Sequence, residues 1–163
     1  NGRQNHHPRT ILCRFEPGGN EKGVLRVKIV VIDGQGGRLG QLLTAGVKAR
    51  LPQAQVCALG TNTVATAAML KAGADFGATG ENPVVRGVMD ADGVLGPVGI
   101  VVANAILGEV TPAMAEAVGG CRAKKFLVPM NSCGVVVAGV EELSLAAYVS
   151  QAVEALAGEL ERD

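Results

Sequence analysis

The sequence predicts an α/β fold with a mainly parallel sheet, and three observations carry that prediction. Short apolar runs of strand length alternate with longer segments whose apolar residues recur at helical spacing. The first run, Val27 to Ile32 with Lys28 its only polar residue, suits a strand buried on both faces, as parallel sheets require. The segments that follow successive runs (33–37, 60–63, 79–82, 96–99 and 131–133) are each rich in glycine or carry Thr, Asn, Asp, Glu or Cys. Connections of the opposite sense, such as Pro52-Gln53-Ala54, are plainer. In parallel sheets ligands bind beyond the carboxyl ends of the strands, so one edge with five such loops is a ligand edge. The blander reading is that these residues only make turns and caps.

The elements follow in order. After the first strand, Gly34, Gly36, Gly37 and Gly40 make a tight turn into a helix with Leu39, Leu42, Leu43, Val47 and Leu51 on one side, stopped by Pro52. Gln55 to Leu59 is the second strand. Thr61-Asn62-Thr63 turns and caps a helix running to Ala72, closed by Gly73. Ala74 to Gly77 is a short third strand, followed by a short helix through Met89. Val94 and Leu95 begin a fourth strand that breaks at Gly96-Pro97-Val98-Gly99. Ile100 to Leu107 is apolar enough to suggest a buried helix, but too short and too interrupted to span a membrane. Thr111 caps a helix with Pro112 at its first position. Phe126 to Pro129 is a fifth strand and Val135 to Val140 a sixth, at the edge. Ser144 opens a terminal helix with Leu145, Val149, Val153, Leu156 and Leu160 inward. The result is a three-layer, Rossmann-like sandwich of five to six strands with helices on both faces.

Composition narrows the function. The 163 residues carry no formal net charge, so no global field draws nucleic acid or an anionic membrane. Phe15, Phe76, Phe126 and Tyr148 are the only aromatics, too few to stack single-stranded bases. Cys13, Cys57, Cys121 and Cys133 form no CxxC pair, which fits free thiols in a cytoplasmic protein. Residues 1–26 differ from the rest, holding both histidines and five of the 15 basic residues. They are read either as a disordered tail or as a non-native extension ahead of a start at Val27, leaving 27–163 as a single domain.

The candidate site centres on Gly34, Gln35, Gly36, Gly37 and Gly40, where bare amides and a helix start suit a phosphate. Thr61, Asn62, Thr79, Gly80, Asn82, Gly96, Gly99, Asn104 and Asn131 are expected around it. Asn104 reads equally as a ligand contact near a helix start or as a satisfied buried amide. Asp33 is open to three roles: a Mg²⁺ ligand bridging to phosphate, a general base, or a cap of the turn. Glu81 is the second acid expected on that edge, with Glu109 more remote. The dinucleotide fingerprint GxGxxG is broken by Leu39. No Asp or Glu lies between Asp33 and Asp75 to hold ribose hydroxyls, which disfavours NAD. NADP stays open, although no arginine stands beside the second strand for a 2′-phosphate. Both histidines being in 1–26, Cys133 has no partner in the domain to activate it, and zinc or Ser-His-Asp chemistry is disfavoured.

Taken together, IDGQGGRLG, ALGTNTVATAAMLKAGAD, GATGEN, GPVGIVVANAILGEVTPAMAEAV and AKKFLVPMN resemble a small bacterial family catalogued as a domain of unknown function. The resemblance covers Val27 to Val140 in ordered blocks and implies a Rossmann-like cytoplasmic protein whose members begin at the position of Val27. A weaker, local similarity from Gly96-Pro97 to Cys133 is to the 2-phospho-lactate transferase-like proteins, which implies nucleotides or phosphorylated metabolites as ligands. The expected function is a binder of a nucleotide or phosphometabolite at the first strand–helix turn. An NADP-linked oxidoreductase, a Mg²⁺-dependent phosphoryl or nucleotidyl transferase using Asp33, and a non-enzymatic scaffold or regulatory subunit are the alternatives. A homodimer is compatible with a domain of this size.

Overall fold

The computed structural model describes residues 27–130 and 134–162. The expectations for residues 1–26, Asn131 and Cys133 therefore lie outside the described residues.

The chain runs β1 (Lys28–Asp33), α1 (Arg38–Arg50), β2 (Gln55–Gly60), α2 (Thr63–Lys71), β3 (Phe76–Thr79), α3 (Glu81–Gly87) and β4 (Gly93–Pro97). A 3-10 turn (Val98–Val101), α4 (Pro112–Gly120), β5 (Lys124–Val128) and α5 (Leu145–Leu160) complete it. The strands form a single parallel sheet in the order β3-β2-β1-β4-β5. The chain builds outward from β1 through β2 to β3, then returns to lay β4 on the other side of β1. The order thus reverses between β1 and β4, the place on the carboxyl edge where sheets of this kind bind their ligands.

β1 is central, so both its faces are covered, and its alternate residues feed two separate cores. Ile29 and Val31 join Leu43 and Val47 of α1, Met69 of α2 and Val153 and Leu156 of α5. Val30 and Ile32 join Val84 and Val88 near α3, Ile100 of the 3-10 turn, and Met114 and Val118 of α4. Period-two alternation with no polar face is what a strand buried on both sides demands, and it explains the continuous apolar run. Helix entry follows local chemistry: the side chains of Asn62, Thr111 and Ser144 each accept the backbone N–H three residues on.

Two expectations fail. Val135 to Val140 forms no strand, and the sheet has five strands among the described residues. Gly134 and Gly139 sit at positive φ at the two ends of that run, and Val136 is 87% exposed, so its backbone meets no strand edge. Ile100 to Leu107 forms no α-helix either. After the 3-10 turn it becomes a chain of turns in which Asn104, Ile106 and Leu107 adopt φ of +64°, +55° and +54°. The segment buries Ala105, Ile106 and Val110 without helical periodicity, and tertiary contacts override its apolar content.

Candidate functional site

The site begins where β1 ends. Asp33 is only 6% exposed, and its carboxylate faces back into the turn that follows. Oδ1 accepts the Gly34 N–H at 2.8 Å and Oδ2 the Gly40 N–H at 2.6 Å. α1 has Gly37 as its N-cap residue and no side chain there to cap it. Asp33 therefore supplies from four residues upstream the acceptor that a capping side chain would normally provide. Of its three expected roles, the geometry is that of the cap. Burial pushes the Asp33 carboxyl above the ordinary aspartate range, the Gly40 and Gly34 amides oppose that, and the Glu109 carboxylate adds to the rise.

The turn is closed by the Gly37 N–H donating to the Gly34 carbonyl at 3.0 Å. Gly37 lies at φ +72°, and a Cβ there would stand 2.6 Å from the Ala65 Cα of α2. Both the backbone angle and the close approach of two helices require glycine at this position. Gln35 has a left-handed φ of +48° without being glycine, and both its backbone groups are held. Its carbonyl accepts from Asn62 Nδ2 at 2.9 Å, and its N–H donates to Glu109 Oε2 at 2.9 Å.

Glu109 is the residue whose importance the sequence concealed. It arrives from residues 102–110, between the 3-10 turn and α4, and its Oε2 also accepts from the Thr61 hydroxyl and from Asn62 Nδ2. Desolvation pushes the carboxyl up, but the hydrogen bonds from Thr61, Gln35 and Asn62 outweigh it and hold the group below the ordinary glutamate range. A Cβ on Gly34 would lie 2.5 Å from both Glu109 Oε2 and Thr61 Oγ1, so a larger residue there would push these two side chains aside. The sole sequence signal was indirect: a carboxylate between Gly108 and Val110 in an otherwise apolar stretch. Its partners Thr61 and Asn62 lie 48 and 47 residues away.

The expected residues sort into three groups. Asp33, Gly34, Gln35, Gly37, Gly40, Thr61 and Asn62 form a connected set, tied further by the Thr61 N–H to the Asp33 carbonyl at 3.0 Å. Gly36 is beside them and faces open space. Gly80 joins through its N–H to the Gly60 carbonyl at 2.9 Å, and Thr79 through a 2.7 Å hydroxyl contact with Thr66 of α2. The third group stands apart. Gly96 of β4 and Gly99 of the 3-10 turn are buried, and Asn82 is exposed on α3. Asn104 is exposed, so it is not the buried amide that was one of its two readings. Glu81 is exposed at the start of α3 and makes no hydrogen bond to the connected set; the second carboxylate at the turn is Glu109 instead.

No acid lies near the end of β2 in sequence, yet Glu109 places one against Thr61 and Asn62 in space. No group of three or more His, Cys, Asp or Glu residues that could hold a metal ion occurs among the described residues. Among those residues, too, no helix is long and apolar enough to cross a membrane. A groove between β5 and α5, lined by Phe126, Pro129, Tyr148 and Gln151, holds no cluster of titratable groups.

With this geometry in hand, comparison with known proteins identifies the family. Residues 28–161 match the model of a family described as a domain of unknown function (DUF3842), and the chain belongs to that family. Among solved structures, the dodecameric FMN-dependent UbiX-like decarboxylase from Escherichia coli O157:H7 is similar at 17% identity and a TM-score of 0.39. The match covers 80% of this chain and 75% of that one. No curated protein matches. The local likeness to 2-phospho-lactate transferase-like proteins is not shown by these findings.

Proposed function

We propose that the protein binds a nucleotide or phosphorylated metabolite at the carboxyl edge of its sheet, over the turn between β1 and α1. The observation that carries this reading is the convergence at the turn after β1 of the loop after β2 and of the segment after β4, joined where Glu109 accepts from Gln35, Thr61 and Asn62. The ends of β1, β2 and β3 are stitched together by Thr61–Asp33, Asn62–Gln35 and Gly80–Gly60 hydrogen bonds, beside the start of a 13-residue helix. Gln35, Gly36 and Arg38 remain exposed there, so the turn is not sealed within the protein. Backbone amides at a helix start favour negative charge. The surrounding side chains, Thr61 and Asn62, are neutral donors that suit phosphate and ribose oxygens.

Catalysis through Asp33 has less support, because both its oxygens already serve backbone amides. NAD, disfavoured by the sequence, is tested beside NADP and the mononucleotides. The test is a thermal-unfolding panel of NAD, NADP, ATP, GTP, UDP-sugars and sugar phosphates, each with and without Mg²⁺. A ligand at about 100 times its Kd adds about 2.7 kcal/mol to apparent stability, a rise of several degrees in Tm. A selective rise with one class supports the proposal and names the class. A Mg²⁺-dependent rise abolished by Asp33→Ala would favour transfer chemistry. No rise with any ligand leaves a scaffold and removes the proposal.

A further inference from the structure

We infer that Glu109 is a latch: its carboxylate fills an oxyanion position at the β1–α1 turn, holds residues 102–110 shut across it, and must leave before a ligand's phosphoryl oxygen can dock there. The inference rests on the binding proposal above and adds how that site is controlled.

Three donors from two separate loops converge on a single oxygen, Glu109 Oε2. They are the Gln35 N–H at 2.9 Å, Asn62 Nδ2 at 3.0 Å and the Thr61 hydroxyl. Such a set recognises an oxyanion, and it does not distinguish a carboxylate oxygen from a phosphoryl one. The occupant on the page is the protein's own anion, which marks the position as one that takes negative charge. No lysine or arginine takes part in these bonds, so a more highly charged phosphate competes for the same neutral donors. Gly36, the next residue of the turn, is exposed, with nothing within 4 Å of where a Cβ would project.

The backbone on both sides of the contact is held in a costly form. Gln35 has φ +48°, and Asn104, Ile106 and Leu107 have φ between +54° and +64°. Residues other than glycine persist in this region only where surrounding contacts impose it. For Gln35 those contacts are Glu109 on its N–H and Asn62 on its carbonyl. For 102–110 they are the Glu109 carboxylate, the buried side chains of Ala105, Ile106 and Val110, and the segment's own backbone hydrogen bonds, among them Asn104 N–H to the Val110 carbonyl at 2.7 Å and Glu109 N–H to the Ile106 carbonyl at 3.0 Å. Breaking the carboxylate's bonds removes a contact shared by both strained segments and leaves 102–110 to its own backbone hydrogen bonds and Gln35 to Asn62. That gives the turn two discrete states: shut on Glu109, or open to a ligand.

The experiment uses the full chain and the variants Glu109→Ala and Thr61→Val. The second removes one donor hydroxyl at nearly constant volume and serves if the first fails to fold. Hydrogen exchange at the Gln35 amide and limited proteolysis within 102–110 read the latch without any ligand. Calorimetric titration with ADP and with inorganic pyrophosphate reads the gate. Glu109→Ala is expected to speed Gln35 exchange on the order of tenfold, the size of one lost charge-assisted hydrogen bond, and Thr61→Val by less. ADP should bind Glu109→Ala more tightly than the wild type by a similar factor, and ADP should raise cleavage within 102–110 of the wild type. Unchanged exchange in both variants overturns the inference. So does ADP that binds the wild type as well as or better than Glu109→Ala, because Glu109 is then no competitor, while the binding proposal stands. Faster exchange with no ADP or pyrophosphate bound by either protein overturns the gate and leaves a structural clasp, while the thermal-unfolding panel decides the binding proposal by itself.

Discussion

The chain leaves β1 and β4 by different routes, yet both routes bring a carboxylate to the same turn. After β1 a glycine turn leads directly into a 13-residue helix, and Asp33 caps it from within. After β4 a four-residue 3-10 turn gives way to the irregular 102–110 segment, which ends on Glu109. Asp33 accepts two backbone N–H groups, from Gly34 and Gly40, whereas Glu109 accepts one, from Gln35, together with the Thr61 hydroxyl and the Asn62 amide. The environments differ. Asp33 is buried at 6% exposure and its carboxyl is pushed up, whereas Glu109 is less enclosed and its carboxyl is held down. One acid is part of the fixed frame, and the other rests on it from outside. At Asp33 burial outweighs the hydrogen bonds, whereas at Glu109 the hydrogen bonds outweigh burial.

The frame side of that contrast breaks most severely at Gly37. Gly37→Val places a Cβ 2.6 Å from a backbone atom of Ala65, at a φ of +72°. Backbone cannot yield as a flexible side chain can, and a β-branched residue is strained at this angle. We expect a loss of about 2–5 kcal/mol, from overpacking plus the left-handed penalty, measured by urea unfolding. A variant as stable as the wild type would show that α1 and α2 do not meet this closely, and the turn would lose its standing as the fixed element.

The two carboxylates should then separate by the sign of their pH dependence. Asp33 is raised in the folded state, so between its unfolded and folded values the native protein binds more protons, and Asp33's contribution to stability falls as pH rises. Asp33→Ala therefore costs most at low pH, where two amides lose their acceptor, about 1–3 kcal/mol, and less as pH climbs past the folded value. Glu109 is lowered, so its contribution is present above the ordinary glutamate range and is lost as pH falls through the folded value. Glu109→Gln should thus lose least at low pH, with a smaller amplitude because the group is less enclosed. Urea unfolding of both variants across the acid range checks the pair. Two curves of the same sign would mean that burial does not distinguish them.

How much of this was legible in the sequence follows from how local each feature is. β1 showed itself as an apolar run with one lysine because a central parallel strand is covered on both faces. Asn62, Thr111 and Ser144 could be read as caps because capping involves only residues three positions apart. Val135 to Val140 has strand composition, but a strand also needs an edge to pair with, and composition does not say whether one is available. Ile100 to Leu107 looked helical on apolar content alone, whereas the exposure of Leu107 next to buried Ile106 is a tertiary outcome. Glu109 was out of reach for the same reason. Its role exists only once β2 and the 102–110 segment are neighbours, and no local pattern encodes a contact between Thr61 and a residue 48 positions on.

The smallest expected effect sharpens the comparison from the mobile side. Leu107 is 91% exposed with a φ of +54°, so it pays for a left-handed backbone without burying its side chain in return. Asparagine tolerates that angle better than leucine does, so Leu107→Asn should stabilise the protein by about 0.5 kcal/mol, read as a small rise in Tm. The same substitution in a Glu109→Ala background tests where the strain comes from. If Glu109 imposes the left-handed backbone, releasing it lets residue 107 relax, and the gain from asparagine should shrink toward zero. If instead the buried Ile106 and Val110 hold the segment by themselves, the gain should be the same in both backgrounds. A double-mutant cycle on these two positions thus assigns the strain either to the contact that can open or to the core that cannot.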